Sequence, residues 1–83
     1  MQNPIKNKRA RLKKGEDVYH KDNLEKKMIV DQVVYAEDKK LIEIRCSWWE
    51  NNELKIHGFH SYELLPKFIV DSGAEVIKNY LSM

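Results

Sequence analysis

The chain has 83 residues, of which 42% are hydrophobic and 34% charged, and its formal net charge is +2. This length allows one small domain with a modest core and a heavily charged surface. The single cysteine, Cys46, excludes an internal disulfide, and no apolar run is long enough for a signal peptide or a membrane span. We therefore expect a cytoplasmic protein without membrane association.

Basic residues are concentrated at the N-terminus. Residues 1–14 hold six of the fifteen Lys and Arg residues and no acid, while all thirteen Asp and Glu residues lie further along the chain. A basic tail on a mildly acidic body indicates an anionic partner such as nucleic acid. The other interpretation, a flexible tail that aids solubility, is favoured because the segment has no aromatic residue to stack on a base. The residues concerned are Lys6, Lys8, Arg9, Arg11, Lys13 and Lys14.

The first strands follow a break at residues 15–17. Residues 18–20 suit a short strand, and the Asp and Asn that follow them favour a turn. Residues 28–36 are rich in β-branched and aromatic side chains, which predicts a longer strand. Its central Asp31 and Gln32 indicate a bulge or a half-exposed face. The polar residues 37–40 predict the next turn.

Apolar and polar side chains alternate along the strand predicted over residues 41–49. Successive side chains of a strand point to opposite faces, and one of the two sets here is polar except for Trp49. The other set therefore faces the core. The predicted core set is Ile42, Ile44, Cys46 and Trp48, and the other set is Glu43, Arg45, Ser47 and Trp49.

A hairpin is predicted at residues 50–53, because asparagine tolerates positive φ at low cost. The returning strand covers residues 54–60, and we expect Leu54 and Ile56 to pair with the core face. Gly58 then predicts a bulge that turns the following phenylalanine inward.

The last elements are a tight turn, a short strand and a helix. Residues 61–66 suit one turn of 3₁₀ helix, and residues 65–70 suit a strand. The closing helix is predicted over residues 71–83, with Asp71 or Ser72 as its cap. Its apolar face consists of Ala74, Ile77, Tyr80 and Leu81.

Four or five short strands joined by hairpins predict a mainly β fold, a small antiparallel barrel with a short C-terminal helix. The chain also resembles the YodC-like family of small bacterial proteins over residues 15–66, and that resemblance implies an SH3-like barrel. We predict three parts: the basic tail 1–14, the barrel 15–70 and the helix 71–83. The resemblance depends on Gly15, Asp17, Val18, Lys27, Met28, Val30, Arg45, Cys46, Trp48, Phe59 and Leu64.

Metal binding and thiol catalysis have weak support. Cys46, His20, His57 and His60 are the residue types of a zinc site, but only the two later histidines have ligand-like spacing. A core-facing cysteine lacks the exposed, low-pKa thiol that nucleophilic catalysis needs. We expect no metal, no cofactor and no enzymatic activity.

Two interpretations of Trp49 remain open. It lies either on an exposed binding surface or beneath the C-terminal helix, and the second is favoured because an apolar helix face needs something to cover. The first predicts a binding module that recognises a protein segment or nucleic acid through Trp49, Arg45, Tyr35 and Lys55. The alternative is a structural or assembly protein that forms a homodimer or docks on a larger complex.

Overall fold

The computed structural model describes residues 11–82, which form one antiparallel sheet and a helical C-terminus. The elements are β1 (Asp17–His20), β2 (Asn23–Tyr35), β3 (Leu41–Glu50), β4 (Glu53–Phe59), a 3₁₀ turn (Ser61–Glu63), β5 (Leu64–Pro66), α1 (Lys67–Asp71) and α2 (Ala74–Leu81). The sheet order is β4-β3-β2-β1-β5, so β4 and β5 are its edges. The mainly β class is confirmed. The sheet is not closed within the described residues, so the SH3-like barrel stays a prediction.

The longest strand, β2, pairs with β1 through its first half and with β3 through its second half. It begins at Asn23, five residues before the predicted start. The predicted irregularity near Asp31 is confirmed, because Val30 pairs with Cys46 while Gln32 pairs with Arg45, which leaves Asp31 as an extra residue.

The main core lies on one side of the sheet, which we call the inner face. Val18, Val30, Ile44 and Cys46 are buried there. This confirms the alternation of β3 at Ile44 and Cys46, with Arg45 exposed on the other side. Trp48 is half-buried and packs against this core. The cluster also contains Leu12, Met28 and Leu64, with Val33 and Phe59 packed against it.

The predicted burial of Ile42 is wrong, because its side chain is 51% exposed. Val34 pairs with Glu43 and Tyr35 pairs with Leu41, so Ile42 is the extra residue of a second bulge. A bulge leaves a residue without a partner and breaks the alternation on which the prediction depended.

The predicted register of β4 is also wrong. Leu54 lies opposite Trp49 and Ile56 lies opposite Ser47, so both point away from the core. Side chains that face each other across an antiparallel pair share one face of the sheet. The inner face of β4 instead carries Lys55, His57 and Phe59.

No bulge occurs at Gly58, because β3 and β4 pair without a register shift. Phe59 faces inward by simple alternation. The glycine has a different role: a Cβ atom at position 58 would overlap the carboxylate of Glu43. The missing side chain therefore leaves room for a residue of the neighbouring strand.

The C-terminal segment differs from its prediction after the 3₁₀ turn, which is confirmed at Ser61–Glu63. The last strand ends at Pro66, and residues 67–71 are helical. Neither Asp71 nor Ser72 caps α2, which starts after Gly73 at a φ of 103°. Along the predicted apolar face of α2, Tyr80 is buried and Ile77 half-buried, whereas Ala74 and Leu81 are exposed.

A second, smaller core lies under the two helices. Leu65, Ile69 and Tyr80 are its buried members. Leu65 pairs with Tyr19, one position out of step with the pair Val18 and Pro66, so it points to the face opposite the main core. We call this the outer face. Within residues 11–82, no helix has the length and apolar character needed to cross a membrane.

Candidate functional site

Exposed apolar side chains cluster on the outer face of the sheet, around Trp49. Trp49 is 72% exposed, the largest exposed fraction among the large hydrophobic residues of the described chain. It faces Leu54 across the hairpin, and the next outer row runs from Ile29 through Ser47 to Ile56. The two rows are adjacent, so Ile29, Trp49, Leu54 and Ile56 form one continuous surface. We call these four residues the Trp49 patch.

The helices leave the Trp49 patch uncovered. They pack over Leu65 on β5, at the opposite edge of the sheet from β4. The expectation that the C-terminal helix lies over Trp49 is therefore wrong. The reason is topological: α1 begins at Lys67, directly after β5 ends at Pro66, so the helices fold back over the strand that precedes them.

Charged side chains around the Trp49 patch occur in opposite pairs. Arg45 Nε lies 3.7 Å from Glu43 Oε2, and Lys27 Nζ lies 3.7 Å from Asp17 Oδ2. Each cation therefore has a carboxylate beside it. The outer face therefore has an apolar centre, and the charged side chains beside it form pairs of opposite sign.

Two residues of the predicted binding surface lie elsewhere. Lys55 faces Trp48 on the inner side, where its Nζ is 2.9 Å from Glu53 Oε1. Tyr35 lines a cavity of about 620 Å³ beside Ile44 of the main core. Only Trp49 and Arg45 of the four predicted residues share one surface.

The predicted basic tail is only partly described. Lys6, Lys8 and Arg9 lie outside the described residues. Arg11, Lys13 and Lys14 are exposed, while Leu12 between them is buried in the main core. Backbone hydrogen bonds from Gly15 N to Val30 O (2.8 Å) and from Val30 N to Glu16 O (2.9 Å) fix the chain that follows. The described end of the tail thus lies against the sheet.

Cys46 is fully buried and its thiol donates to the carbonyl of Ile44 at 3.9 Å. Burial raises the pKa of the thiol to about 12, and the negative charge of Asp31 adds to this shift. A thiol with this pKa is protonated at neutral pH, which does not favour a nucleophilic thiolate at this position.

The three histidines contact aromatic and carboxylate side chains, and His20 and His57 both pack against Phe59. His20 Nε2 lies 3.2 Å from Glu63 Oε1, His57 packs edge-on against Phe59, and His60 stacks on Tyr62. Residues 11–82 contain no group of three or more His, Cys, Asp or Glu side chains that could hold a metal ion.

Sequence reasoning missed Ile29, Leu54 and Ile56 as part of an exposed surface. The signal for two of them was present, because a hairpin that starts from paired residues 50 and 53 puts Leu54 opposite Trp49.

Comparison of the chain with models of known families, with curated proteins and with solved structures finds no match. The resemblance to the YodC-like family stays a prediction.

Proposed function

We propose that the protein is a binding module that recognises an extended segment of another protein through the Trp49 patch and the free edge of β4. The observation that carries this proposal is the 72% exposure of Trp49 at an uncovered sheet face. Contiguous exposed apolar surface is uncommon on small monomeric proteins and marks interaction sites. Tryptophan is also among the residues that contribute most to binding energy at protein interfaces.

The edge strand β4 suggests how such a segment is held. This strand has seven residues, and its edge away from β3 has no strand partner within the described chain. An extended segment can add to such an edge through backbone hydrogen bonds, while alternate side chains provide specificity. Leu54 and Ile56 belong to this strand, so the alternate side chains of an added segment would continue the Trp49 patch.

The charges around the Trp49 patch favour a protein over nucleic acid. Binding to a phosphate backbone draws on Lys and Arg that neutralise phosphates. Arg45 and Lys27 are each beside a carboxylate, so they offer little net positive charge to phosphates. Nucleic-acid binding would instead depend on the basic tail, through Lys6, Lys8 and Arg9 beyond the described residues, and its affinity would fall steeply with salt.

Self-association is the second candidate, and the same edge supports it. Two antiparallel copies of β4 centred on Ile56 would place the Leu54 of each copy opposite the Gly58 of the other. The apolar surfaces of the two copies would then be continuous. A second copy is therefore one outcome of the experiment that tests the partner.

The experiment selects peptides of about twelve random residues, a length that exceeds β4, on the full-length protein. Enriched peptides are titrated by fluorescence anisotropy against the parent, Trp49→Ser and Ile42→Ser. Ile42 is a matched control because it is an exposed apolar residue of the same strand outside the Trp49 patch. We expect alternating apolar peptides whose affinity falls about tenfold or more in Trp49→Ser, since tenfold corresponds to about 1.4 kcal/mol.

The outcomes separate the candidates. Urea midpoints equal to the parent's establish that both variants fold. Peptide binding that Trp49→Ser leaves unchanged would contradict the proposal. A parent that sediments as a dimer, and that Ile56→Lys converts to a monomer, would make a second copy the partner.

A further inference from the structure

A cavity of about 620 Å³ opens on the inner side of the sheet, away from the Trp49 patch. Its apolar lining comes from Leu12, Val33 and Ile44, with Tyr35 and Leu41 beside them. Leu12 and Ile44 are buried, whereas Tyr35 and Leu41 are about half exposed, so the cavity has a core-like floor and an accessible rim. We call it the Tyr35 pocket. Its volume is in the range of pockets that hold small organic ligands.

The charged residues that line the Tyr35 pocket are all positive. Arg11 and Lys39 both line it, and among residues 11–82 its lining contains no Asp or Glu. Within residues 11–82, neither cation forms an ion pair. This contrasts with the outer face, where Arg45 and Lys27 each lie beside a carboxylate. Two unpaired cations beside an apolar floor favour a negatively charged ligand.

The backbone at Lys39 supports a role for its side chain. Lys39 has a φ of 68°, in a turn closed by hydrogen bonds from Ala36 N to Lys40 O (2.8 Å) and from Lys39 N to Ala36 O (2.9 Å). A left-handed conformation is unfavourable for most residues, and glycine or asparagine adopts it more readily. Strained residues of this kind cluster at ligand sites. Glycine or asparagine would suit the backbone of this turn better than lysine, whereas lysine places a cation at the pocket.

We propose that the Tyr35 pocket binds a small amphipathic organic acid. Its carboxylate lies near Arg11 and Lys39, and its apolar body covers Leu12, Val33 and Ile44. The guanidinium group of arginine matches a carboxylate with two parallel hydrogen bonds. Tyr35 and Ser61 also line the cavity, and each carries a hydroxyl group that can donate to an anion.

The chain's own N-terminal segment is a poorer occupant by charge. Residues 1–10 contain Lys6, Lys8 and Arg9 and no acid. These cations would be repelled by Arg11 and Lys39. The pocket therefore suits a separate anion better than the segment that precedes it. This inference is independent of the proposed function, because it concerns other residues on the opposite face of the sheet.

The test is a titration of the ¹⁵N-labelled full chain with octanoate, followed by amide chemical shifts. Neutral 1-octanol and cationic octyltrimethylammonium have the same alkyl chain and serve as ligand controls. We expect saturable shifts at Leu12, Val33 and Ile44 with octanoate. Octanol should bind about tenfold more weakly, the factor that corresponds to 1.4 kcal/mol, and the cation should not bind.

Two pairs of variants complete the test. Arg11→Gln and Lys39→Asn each remove one pocket cation, and asparagine keeps the left-handed turn accessible. Lys14→Gln and Lys40→Asn remove exposed cations of the same segments that do not line the cavity. The double pocket variant should reduce octanoate affinity to the level of octanol, while the double control retains it. The proposal would be overturned by chemical-shift changes centred on Trp49 or by an octanol affinity equal to that of octanoate. An equal loss of octanoate affinity in the two double variants would also overturn it.

Discussion

Cys46 is a buried titratable group in a core that is otherwise apolar. Its pKa is raised from 9.0 to about 12, first by burial and then by Asp31. In the unfolded chain the thiol ionises at its ordinary pKa, whereas in the folded protein it keeps its proton. The unfolded state therefore binds fewer protons above about pH 9, and folding stability falls as the pH rises towards 12.

We predict that Cys46→Ala flattens this alkaline loss of stability. The variant should be less stable than the parent at neutral pH, by about 1–2 kcal/mol, because a small cavity replaces the sulfur atom. Between about pH 9 and pH 11 the difference in folding stability between the parent and the variant should narrow. Urea unfolding of both proteins at several pH values measures the difference in stability, and the variant supplies the pH dependence of all other groups. Parallel stability curves for the two proteins would contradict the prediction.

Glu63 joins the 3₁₀ turn to β1. Its Oε2 accepts the backbone N–H of His60 at 2.9 Å, and its Oε1 lies 3.2 Å from His20 Nε2. The Nδ1 atom of His20 accepts the N–H of Asp22 at 3.0 Å, so the neutral ring carries its hydrogen on Nε2 and donates to Glu63. The bond from His60 is the largest cause of a lowered pKa for Glu63, and His20 adds to it.

We predict that this carboxylate makes folding stability sensitive to acid. A lowered folded-state pKa contributes stability above the unfolded pKa, which is lost as the pH falls through the folded value. Glu63→Gln should therefore be less stable at pH 7, by about 1 kcal/mol, and should show a shallower loss of stability below about pH 4.5. Glu37→Gln, in an exposed turn, is the control. Equal acid dependence in the parent and Glu63→Gln would refute this role.

At the scale of elements, the turn between β3 and β4 determines which side chains reach solvent. Asn51 and Asn52 have φ values of 52° and 65°, as in a two-residue hairpin of type I′. Glu50 and Glu53 are the closing pair, so Trp49 is opposite Leu54. One more or one fewer turn residue would move Leu54 and Ile56 to the inner face. The Trp49 patch thus depends on the length of this turn.

We predict that Asn52→Ala destabilises the protein by about 1–2 kcal/mol, the cost of a left-handed conformation for residues other than glycine and asparagine. Asn52→Gly should retain the stability of the parent, because Asn-Gly is the preferred type I′ pair. The urea midpoint measures both changes. Asn79→Ala, on the exposed side of α2, is the control and should change little. An unchanged midpoint for Asn52→Ala would exclude a left-handed residue at that position.

At the scale of the whole molecule, the helices cover one part of the outer face and leave another part exposed. Leu65 on β5 lies beneath Ile69 and Tyr80 of the helices, whereas Trp49 on β3 is exposed. On the inner face, Leu12 from the segment before β1 packs on the main core formed by the strands. The two proposed sites therefore lie on opposite faces of one sheet and can be altered independently.

We predict that the two tryptophans differ in solvent access. Trp48 is half-buried, with Lys26 Nζ 4.5 Å from its ring centroid, while Trp49 is exposed. In the Trp48→Phe variant, acrylamide should quench the remaining fluorescence nearly as well as in the unfolded chain. In Trp49→Phe, quenching of Trp48 should be clearly weaker in the folded state. Equal quenching in the two variants would mean that another part of the chain covers Trp49.

Local rules predicted those parts of the fold that neighbouring residues control. Alternation placed Ile44, Cys46 and Arg45 correctly, and the polar turn chemistry placed the hairpin at Asn51 and Asn52. These features depend on side-chain direction and backbone strain within a few residues. The exposure of Ile42 was missed because a bulge is a property of a strand pair rather than of one strand.

The sequence by itself determined the mainly β class, the approximate positions of the first four strands and most turns, because each depends on short-range periodicity and turn residues. Only the tertiary structure decided that the helices cover Leu65 and leave Trp49 bare, since that depends on which strands become the edges. It alone also brought Arg11, Tyr35 and Lys39 around one cavity. No spacing in the sequence encodes that assembly, because its members come from separate segments joined only by the pairing of β2 with β3 and the packing of Leu12.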